Sequence, residues 1–395
     1  MKIVIIARHF PPEISGGARR PNMLHHSLAA LGHDVFVIAP RLPKGVSGLA
    51  VDHPATARSD DGIVRPPTTP DPIWRVWQRR LLLWPDPERW WANRVVRTVD
   101  AALIDFAPDL IITTSPPEST HHAGAVLSER LGCDWIADFR DSWLEQPLMA
   151  ERRPGLTRAW RRWGEARIAR KWIRRTALAT APTHAILSEL DRLGPPRRMH
   201  LYPQLATPIP TGPRAPITTW DEAAPETIRL LHTGSFSLSD PDRTLSPVLD
   251  ALDRRAAEAV HLYVAGRLSE AEAEAIKAHP RAHWLGLIST DTAQQLQTEA
   301  DGLLLLAAPG TTAVPGKLSE YQNAGTPILA MGSGPWREEA HLGNQVQWES
   351  LARRKRRKRR KNNSGSVDGT TEISMMEAMT ETHALLQAFE EARKI

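Results

Sequence analysis

Lys317 and Glu320 stand three residues apart, just behind the turn Pro315–Gly316. At that spacing the two side chains share one face of a helix. A lysine in the first helical turn opposes the helix dipole. A bound anion would account for it, because free backbone N–H groups and an ammonium together make a phosphate site. A carboxylate one turn later can accept two hydrogen bonds, which suits a pair of ribose hydroxyls. Read alone, the pair is equally an i,i+3 surface ion pair.

Other segments place polar groups where an apolar run stops. HTGSF, His232 to Phe236, ends one such run; Gly234 and Ser235 can hydrogen-bond a phosphate there, with Arg243 close behind. Arg267 ends the next run, LYVAG. Each arginine alone is equally a solvated surface residue. Gly16–Gly17 precedes a helix expected to begin near Arg20–Pro21. Paired glycines let a backbone approach a ligand closely, and Arg19 and Arg20 add charge. A plain turn with exposed arginines is the alternative. The segment is not GxGxxG, so a dinucleotide fingerprint is absent.

DFRDSW puts Asp138, Arg140 and Asp141 at a strand's carboxyl end. Carboxylates there can orient a hydroxyl or accept its proton; an Asp–Arg structural pair is the other reading. SPPESTHH gives a strand-end Ser115, then Glu118 opening a helix. His121 and His122 point about 100° apart on that helix, so both cannot face one site. With no neighbouring Asp/His cluster, Asp-x-x-Asp makes no metal site, and none is expected.

The elements needed to hold these groups follow from the apolar pattern. Buried runs such as IVIIA and GLLLLAA, alternating with helical patterns, predict parallel sheets of the doubly wound α/β kind. Strands are expected at 1–7, 34–39 and within PDLIITTS and CDWIADF. A long helical stretch is expected over 74–106, broken at 85–87. The reading divides the chain into a first domain at 1–205, a Pro-rich linker at 206–226, and a second domain at 227–350. A polybasic segment at 351–371 and an amphipathic helix at 372–395 close it. Two such domains would face each other across a cleft, with ligands at the carboxyl ends of the strands.

At 395 residues either half can bury a full core. The formal charge of +5 misleads, because Arg353 to Lys361 are all Arg or Lys; without them it is −4. Such a block is normally solvated, and no nucleic-acid recognition fold accompanies it. The single Cys133 precludes an internal disulfide. The first apolar run is too short for a signal peptide, so a cytoplasmic protein is expected. Trp and Arg alternate over 74–97, and Arg158 to Arg175 carries three tryptophans. Both stretches can lie on an anionic membrane, peripherally and on its inner face, or pack Trp inward and show Arg to water.

VPGKLSEYQNAGTPILA resembles the nucleotide-binding segment of glycosyltransferase family 4-like enzymes, of the exopolysaccharide and lipopolysaccharide branch. ARHFPPEISGGARRP resembles that family's first loop, and PDLIITTSPPESTHHAG with WIADFRDSW its central N-terminal segments. The resemblance spans roughly 1–340 and is weak at 41–105 and 195–225. It implies a GT-B fold, a nucleotide diphosphate sugar as donor, a glycan or lipid-linked acceptor, retention at the sugar carbon, and no cofactor or metal. Gly16 and Gly17 would border the donor phosphate, Arg243 and Lys317 hold the diphosphate, Glu320 hold the ribose, and Asp138 to Asp141 line the acceptor side. One position departs: the family often has a glutamate eight positions before the one matched by Glu320, and Thr312 stands there. A non-catalytic nucleotide-binding scaffold and a sugar-nucleotide epimerase are the alternatives.

Overall fold

The computed structural model describes residues 1–13, 16–53, 85–86, 88–143, 155–204, 227–254, 259–308, 315–333, 337, 348, 351 and 370–394. The expected linker, the polybasic run, Thr312 and the Trp/Arg stretch up to residue 84 lie outside them.

The chain forms two compact units. One comprises Met1–Leu205 with Met376–Ile395, the other Ala206–Met375. The first carries β1 (Lys2–Ala7), α1 (Gly16–Ala30), β2 (Asp34–Ala39) and β3 (Gly48–Ala50). It continues with α2 (Arg89–Thr98), α3 (Asp100–Phe106), β4 (Leu110–Ser115), α4 (Ser119–Leu131) and β5 (Asp134–Phe139). Then follow α5 (Gly155–Ile173), β6 (Leu178–Ala181), α6 (His184–Leu193) and β7 (Met199–Leu201). All of its strand pairs are parallel, in the order β3-β2-β1-β4-β5-β6-β7.

The second unit carries β8 (Ile228–Thr233), α7 (Ser246–Asp253), β9 (Val260–Ala265), α8 (Glu270–Ala278), β10 (Ala282–Gly286) and α9 (Thr290–Glu299). β11 (Gly302–Leu306), α10 (Lys317–Asn323) and β12 (Ile328–Met331) complete its sheet region. Its parallel order is β10-β9-β8-β11-β12. The expected parallel α/β architecture is present in both.

The physical reason is visible in the strands. Ile3, Val4, Ile5, Ile6 and Ala7 are all fully buried, and so are Leu303 and Leu304. Alternate residues of β1 feed opposite faces: Val4 and Ile6 join Trp91 and Trp135, while Ile3 and Ile5 join Leu24 and Leu28. A strand covered on both faces tolerates no polar alternation, which gives the unbroken apolar runs.

The last helix, α11 (Thr370–Arg393), returns to the first unit. Leu385, Leu386 and Phe389 enter the core beneath β1 and β2. Thr382 hydrogen-bonds the Tyr202 hydroxyl at 3.1 Å.

Three local expectations need correction. The helix after β1 begins at Gly16, so the glycine pair is its first turn and not a loop ahead of it; Pro21 lies inside. Pro21 has no N–H for the Gly17 carbonyl. β3 and β7 are three-residue edge strands that the composition hid. Over 89–106 the expected single helix is two, because Val99 ends α2 and caps α3.

Candidate functional sites at the strand ends of each unit

In each sheet the strand order reverses beside the unit's first strand, between β1 and β4 and between β8 and β11. Ligands of such sheets bind outside the carboxyl ends of the strands at that switch point.

In the second unit, β8 ends at Thr233 and the chain turns through Gly234, whose φ is 141°. The neighbouring Gly266 has φ 150°, and a Cβ on it would stand 2.0 Å from the Gly234 carbonyl. Only glycine permits that approach and that conformation. A Cβ on Gly234 would meet Lys317 Cε at 3.6 Å and His232 Nε2 at 3.6 Å. The Lys317 arm therefore lies over the switch point. Its ammonium contacts Glu320 Oε2 at 3.2 Å, and Glu320 is buried. Gln297 donates to the same oxygen at 3.5 Å and to Thr233 Oγ1 at 2.9 Å. The Tyr321 hydroxyl accepts the Thr233 N–H at 2.9 Å, which fixes α10 to β8.

Arg243 sits in the turn after β8. It donates to Ser239 Oγ at 3.3 Å, while its buried Nε has no hydrogen-bond partner. Burial lowers its pKa, partly offset by Asp240. Among the described residues it makes no salt bridge. Ser235 is half-buried, and its carbonyl accepts from Ser239 Oγ at 3.1 Å. Arg267 is exposed just past Gly266.

His232, the first residue of HTGSF, gains a place only in the structure. Its ring is 4% exposed and stacks on Phe236, with centroids 4.4 Å apart. Burial pushes its pKa down to about 4, the charges of Arg243 and Lys317 add to this, and the Leu304 carbonyl and Glu272 oppose it. That effect of both cations places His232, Arg243 and Lys317 in one neighbourhood.

In the first unit the charged groups at the strand ends are mostly bound to one another. Arg20 donates from Nε and Nη2 to the two oxygens of Asp138, both at 2.7 Å. It also donates to the carbonyls of Tyr202 and Pro203, each at 2.7 Å, and lies over the Tyr202 ring. Thr180 donates to Asp138 at 2.7 Å. Burial opposes the charge of Asp138, but Arg20 outweighs it and the pKa is lowered. A buried carboxylate so held is a poor proton acceptor. The expected catalytic role of Asp138 on the acceptor side gives way to that of an anchor joining α1, β5 and β6.

Arg8, just past β1, donates to Glu88 Oε2 at 2.9 Å and to His53 Nδ1 at 3.1 Å. His53 Nε2 reaches the same Glu88 oxygen at 2.8 Å, and Glu13 lies 3.7 Å from Arg8. Burial would raise the Glu88 pKa, yet His53 and Arg8 bring it down to about 2. Sequence reasoning missed this group entirely, since its members are spread from residue 8 to residue 88.

Gly17 lies under His9 and Arg140: a Cβ there would stand 3.0 Å from His9 Cγ and 3.1 Å from Arg140 Nη1. Nothing lies within 4 Å of a Cβ on Gly16. Arg140 pairs with the half-exposed Asp141 at 3.2 Å. Gly16, Gly17, Arg140 and Asp141 thus stay at an accessible strand end, while Ser115 and Glu118 are buried. Burial and the nearby Asp86, with Asp141 and Glu165, push Glu118 up to about 8. Asp86 accepts the Ser119 N–H at 2.8 Å and hydroxyl at 2.7 Å, which caps α4.

Residues 15–204 match the glycosyl transferase 4-like domain. No curated protein matches the sequence. Solved structures match over the whole chain. Anabaena HepE, in complex with UDP-glucose, has 14% identity and a TM-score of 0.54, covering 100% of this chain and 98% of that one. Sucrose-phosphate synthase from Thermosynechococcus elongatus has 14% identity and a TM-score of 0.58, with the same coverage. The lipopolysaccharide outer core galactosyltransferase WaaB has 11% identity and a TM-score of 0.51, covering 97% of this chain and 99% of that one. With residues 15–204 similar to a glycosyl transferase 4-like domain and a second parallel-sheet unit following in the sequence, the chain has the fold of the GT-B glycosyltransferases.

Proposed function

We propose that the protein is a glycosyltransferase whose second unit binds a nucleoside diphosphate sugar and whose first unit supplies the acceptor side. The observation that carries this is the placement of the Lys317 arm over Gly234, at the β8 switch point, with Arg243 in the same neighbourhood. In the transfer, the bond from the sugar's anomeric carbon to the diphosphate oxygen breaks. A bond from that carbon to an acceptor hydroxyl oxygen forms, and the hydroxyl proton passes to a base or to the departing diphosphate. Negative charge grows on the diphosphate as it leaves, where fixed cations stabilise it most. Arg243 and Lys317 supply those cations, Gly234 and Ser235 offer backbone N–H groups, and Glu320 takes the ribose. Gly16, Gly17, Arg140 and Asp141 border the acceptor.

A fold neighbour crystallised with UDP-glucose supports a sugar-nucleotide donor. The family resemblance supports retention of configuration, independence of metal and a role in cell-surface polysaccharide synthesis. The acceptor is then a glycan or a lipid-linked sugar. Exposed Trp90 and Trp163, each beside an arginine, support peripheral contact with an anionic bilayer. Among the described residues no helix is long and apolar enough to cross a membrane.

Thermal stabilisation by UDP, GDP and ADP and by their glucose conjugates tests the reading. At least one nucleotide raises the melting temperature of the wild type, and Lys317→Ala removes the shift. Failure of every nucleotide to stabilise the wild type would overturn it. Conversion of a donor to an epimer without any acceptor would redirect it to sugar-nucleotide epimerisation.

A further inference from the structure

The His232 ring bridges the switch point of the second sheet. Its Nδ1 lies 2.9 Å from the Leu304 carbonyl oxygen, across from β8 to β11. A carbonyl can only accept, so Nδ1 carries the proton and Nε2 carries a lone pair. That Nε2 is buried and has no hydrogen-bond partner. It faces the space beside Gly234 that the Lys317 arm also borders. The other groups around the ring do not satisfy it. Phe236 stacks on its face, and Glu272 is engaged with the Ser237 and Ser269 N–H groups, both at 2.9 Å.

A buried acceptor without a donor is costly in a folded protein, and such an atom calls for an explanation. Here the atom sits among cations. An ionised phosphate oxygen has no proton to offer a lone pair, so the diphosphate held by Arg243 and Lys317 cannot satisfy Nε2. A hydroxyl can. Beside a diphosphate, a nucleotide sugar carries hydroxyls on both flanks, on its ribose and on its transferable sugar.

Resting on the donor-site reading above, we infer that His232 is an additional ligand-binding residue, whose Nε2 accepts a hydrogen bond from a ligand hydroxyl next to the diphosphate. The cations select charge, and the imidazole selects an O–H at a fixed place beside it. The residue is then a specificity contact and not a phosphate contact.

The test is titration calorimetry on the full chain with inorganic pyrophosphate, with UDP, GDP and ADP, and with their glucose conjugates. His232→Asn keeps a donor for the Leu304 carbonyl and loses the distal acceptor; His232→Phe keeps the stacking on Phe236 and loses both. A melting temperature of the free Asn variant close to wild type establishes that it folds. The expected result is a roughly tenfold loss of affinity for the nucleotide that binds wild type, the scale of one hydrogen bond to a buried acceptor, with pyrophosphate unchanged. An equal loss for the nucleoside diphosphate and its glucose conjugate assigns the hydroxyl to the ribose; a loss confined to the conjugate assigns it to the sugar. Unchanged nucleotide affinity in the Asn variant overturns the inference, as does an equal loss for pyrophosphate. Absence of binding to wild type by every nucleotide instead removes the donor site itself.

Discussion

The two sheets place charge at their switch points in opposite ways. In the first unit, Arg20 and Asp138 satisfy each other bidentately, and Arg8 binds Glu88 and His53, although its Nη1 has no hydrogen-bond partner and only the Glu13 carboxylate, 3.7 Å away, opposite it. In the second, Arg243 keeps a buried Nε without an acceptor, and His232 keeps a lone pair without a donor. Buried charge that is internally paired fixes geometry; losing one partner strands the other. Buried polarity left open costs stability and calls for an explanation, of which a bound ligand is one. On the function proposed above, the contrast separates residues that hold the scaffold from those that would meet a ligand, although both kinds lie at strand ends.

The contrast is most directly broken at Arg20. Arg20→Ala leaves the Asp138 carboxylate buried without its cation, with only the Thr180 hydroxyl bonded to it, and urea unfolding should show a loss of about 3–5 kcal/mol. Replacing both partners by apolar residues of similar volume should recover much of it. If the single change costs nothing, the first site is not scaffolding.

Glu118 gives the next effect, and it depends on pH. Its folded pKa, near 8, lies above the unfolded value of 4.5. The native state therefore holds a proton that the unfolded state releases, and wild-type stability falls as pH rises from about 4.5 to about 8. Glu118→Gln should match wild type near pH 5 and exceed it by about 3 kcal/mol at pH 8. Glu88 runs in the other direction. Its pKa is depressed from 4.5 to about 2, so its contribution is present above pH 4.5 and fades as pH falls toward 2. Glu88→Gln should cost about 2 kcal/mol at pH 7, with the difference closing in acid.

Arg243→Ala should give the smallest change in the free protein. The guanidinium has lost hydration without gaining a salt bridge among the described residues, so removing it should alter stability by only about 0.5 kcal/mol. The same substitution should abolish nucleotide-induced stabilisation. A large loss of stability without ligand would erase the distinction between the two sites.

Much of the fold was legible because parallel strands buried on both faces must be apolar throughout, as IVIIA and GLLLL are. The helix from Lys317 to Asn323 was legible from the turn before it and Gly325 after it. Edge strands of three residues leave no periodicity to read, which hid β3 and β7. Gly234, Lys317 and Glu320 could be proposed together from the sequence because short-range spacing carries the Lys317–Glu320 geometry and a strand end marks Gly234. Asp138 was placed correctly at a strand end but given the wrong work, because its partner lies 118 residues away. His232 was in view, yet its meaning depends on a carbonyl 72 residues later. No local pattern records either separation.

The returning helix α11 has a practical consequence for dissecting this protein. Phe389, Leu385 and Leu386 supply part of the wall beneath β1 and β2, so the amino-terminal unit is assembled from two distant stretches of chain. Cutting at residue 205 does not yield a free-standing module: it uncovers an apolar trough and strips the Tyr202 hydroxyl of its partner. A self-sufficient version of that unit needs the final twenty or so residues spliced back on, whereas the carboxyl-terminal sheet can be excised as one continuous insert.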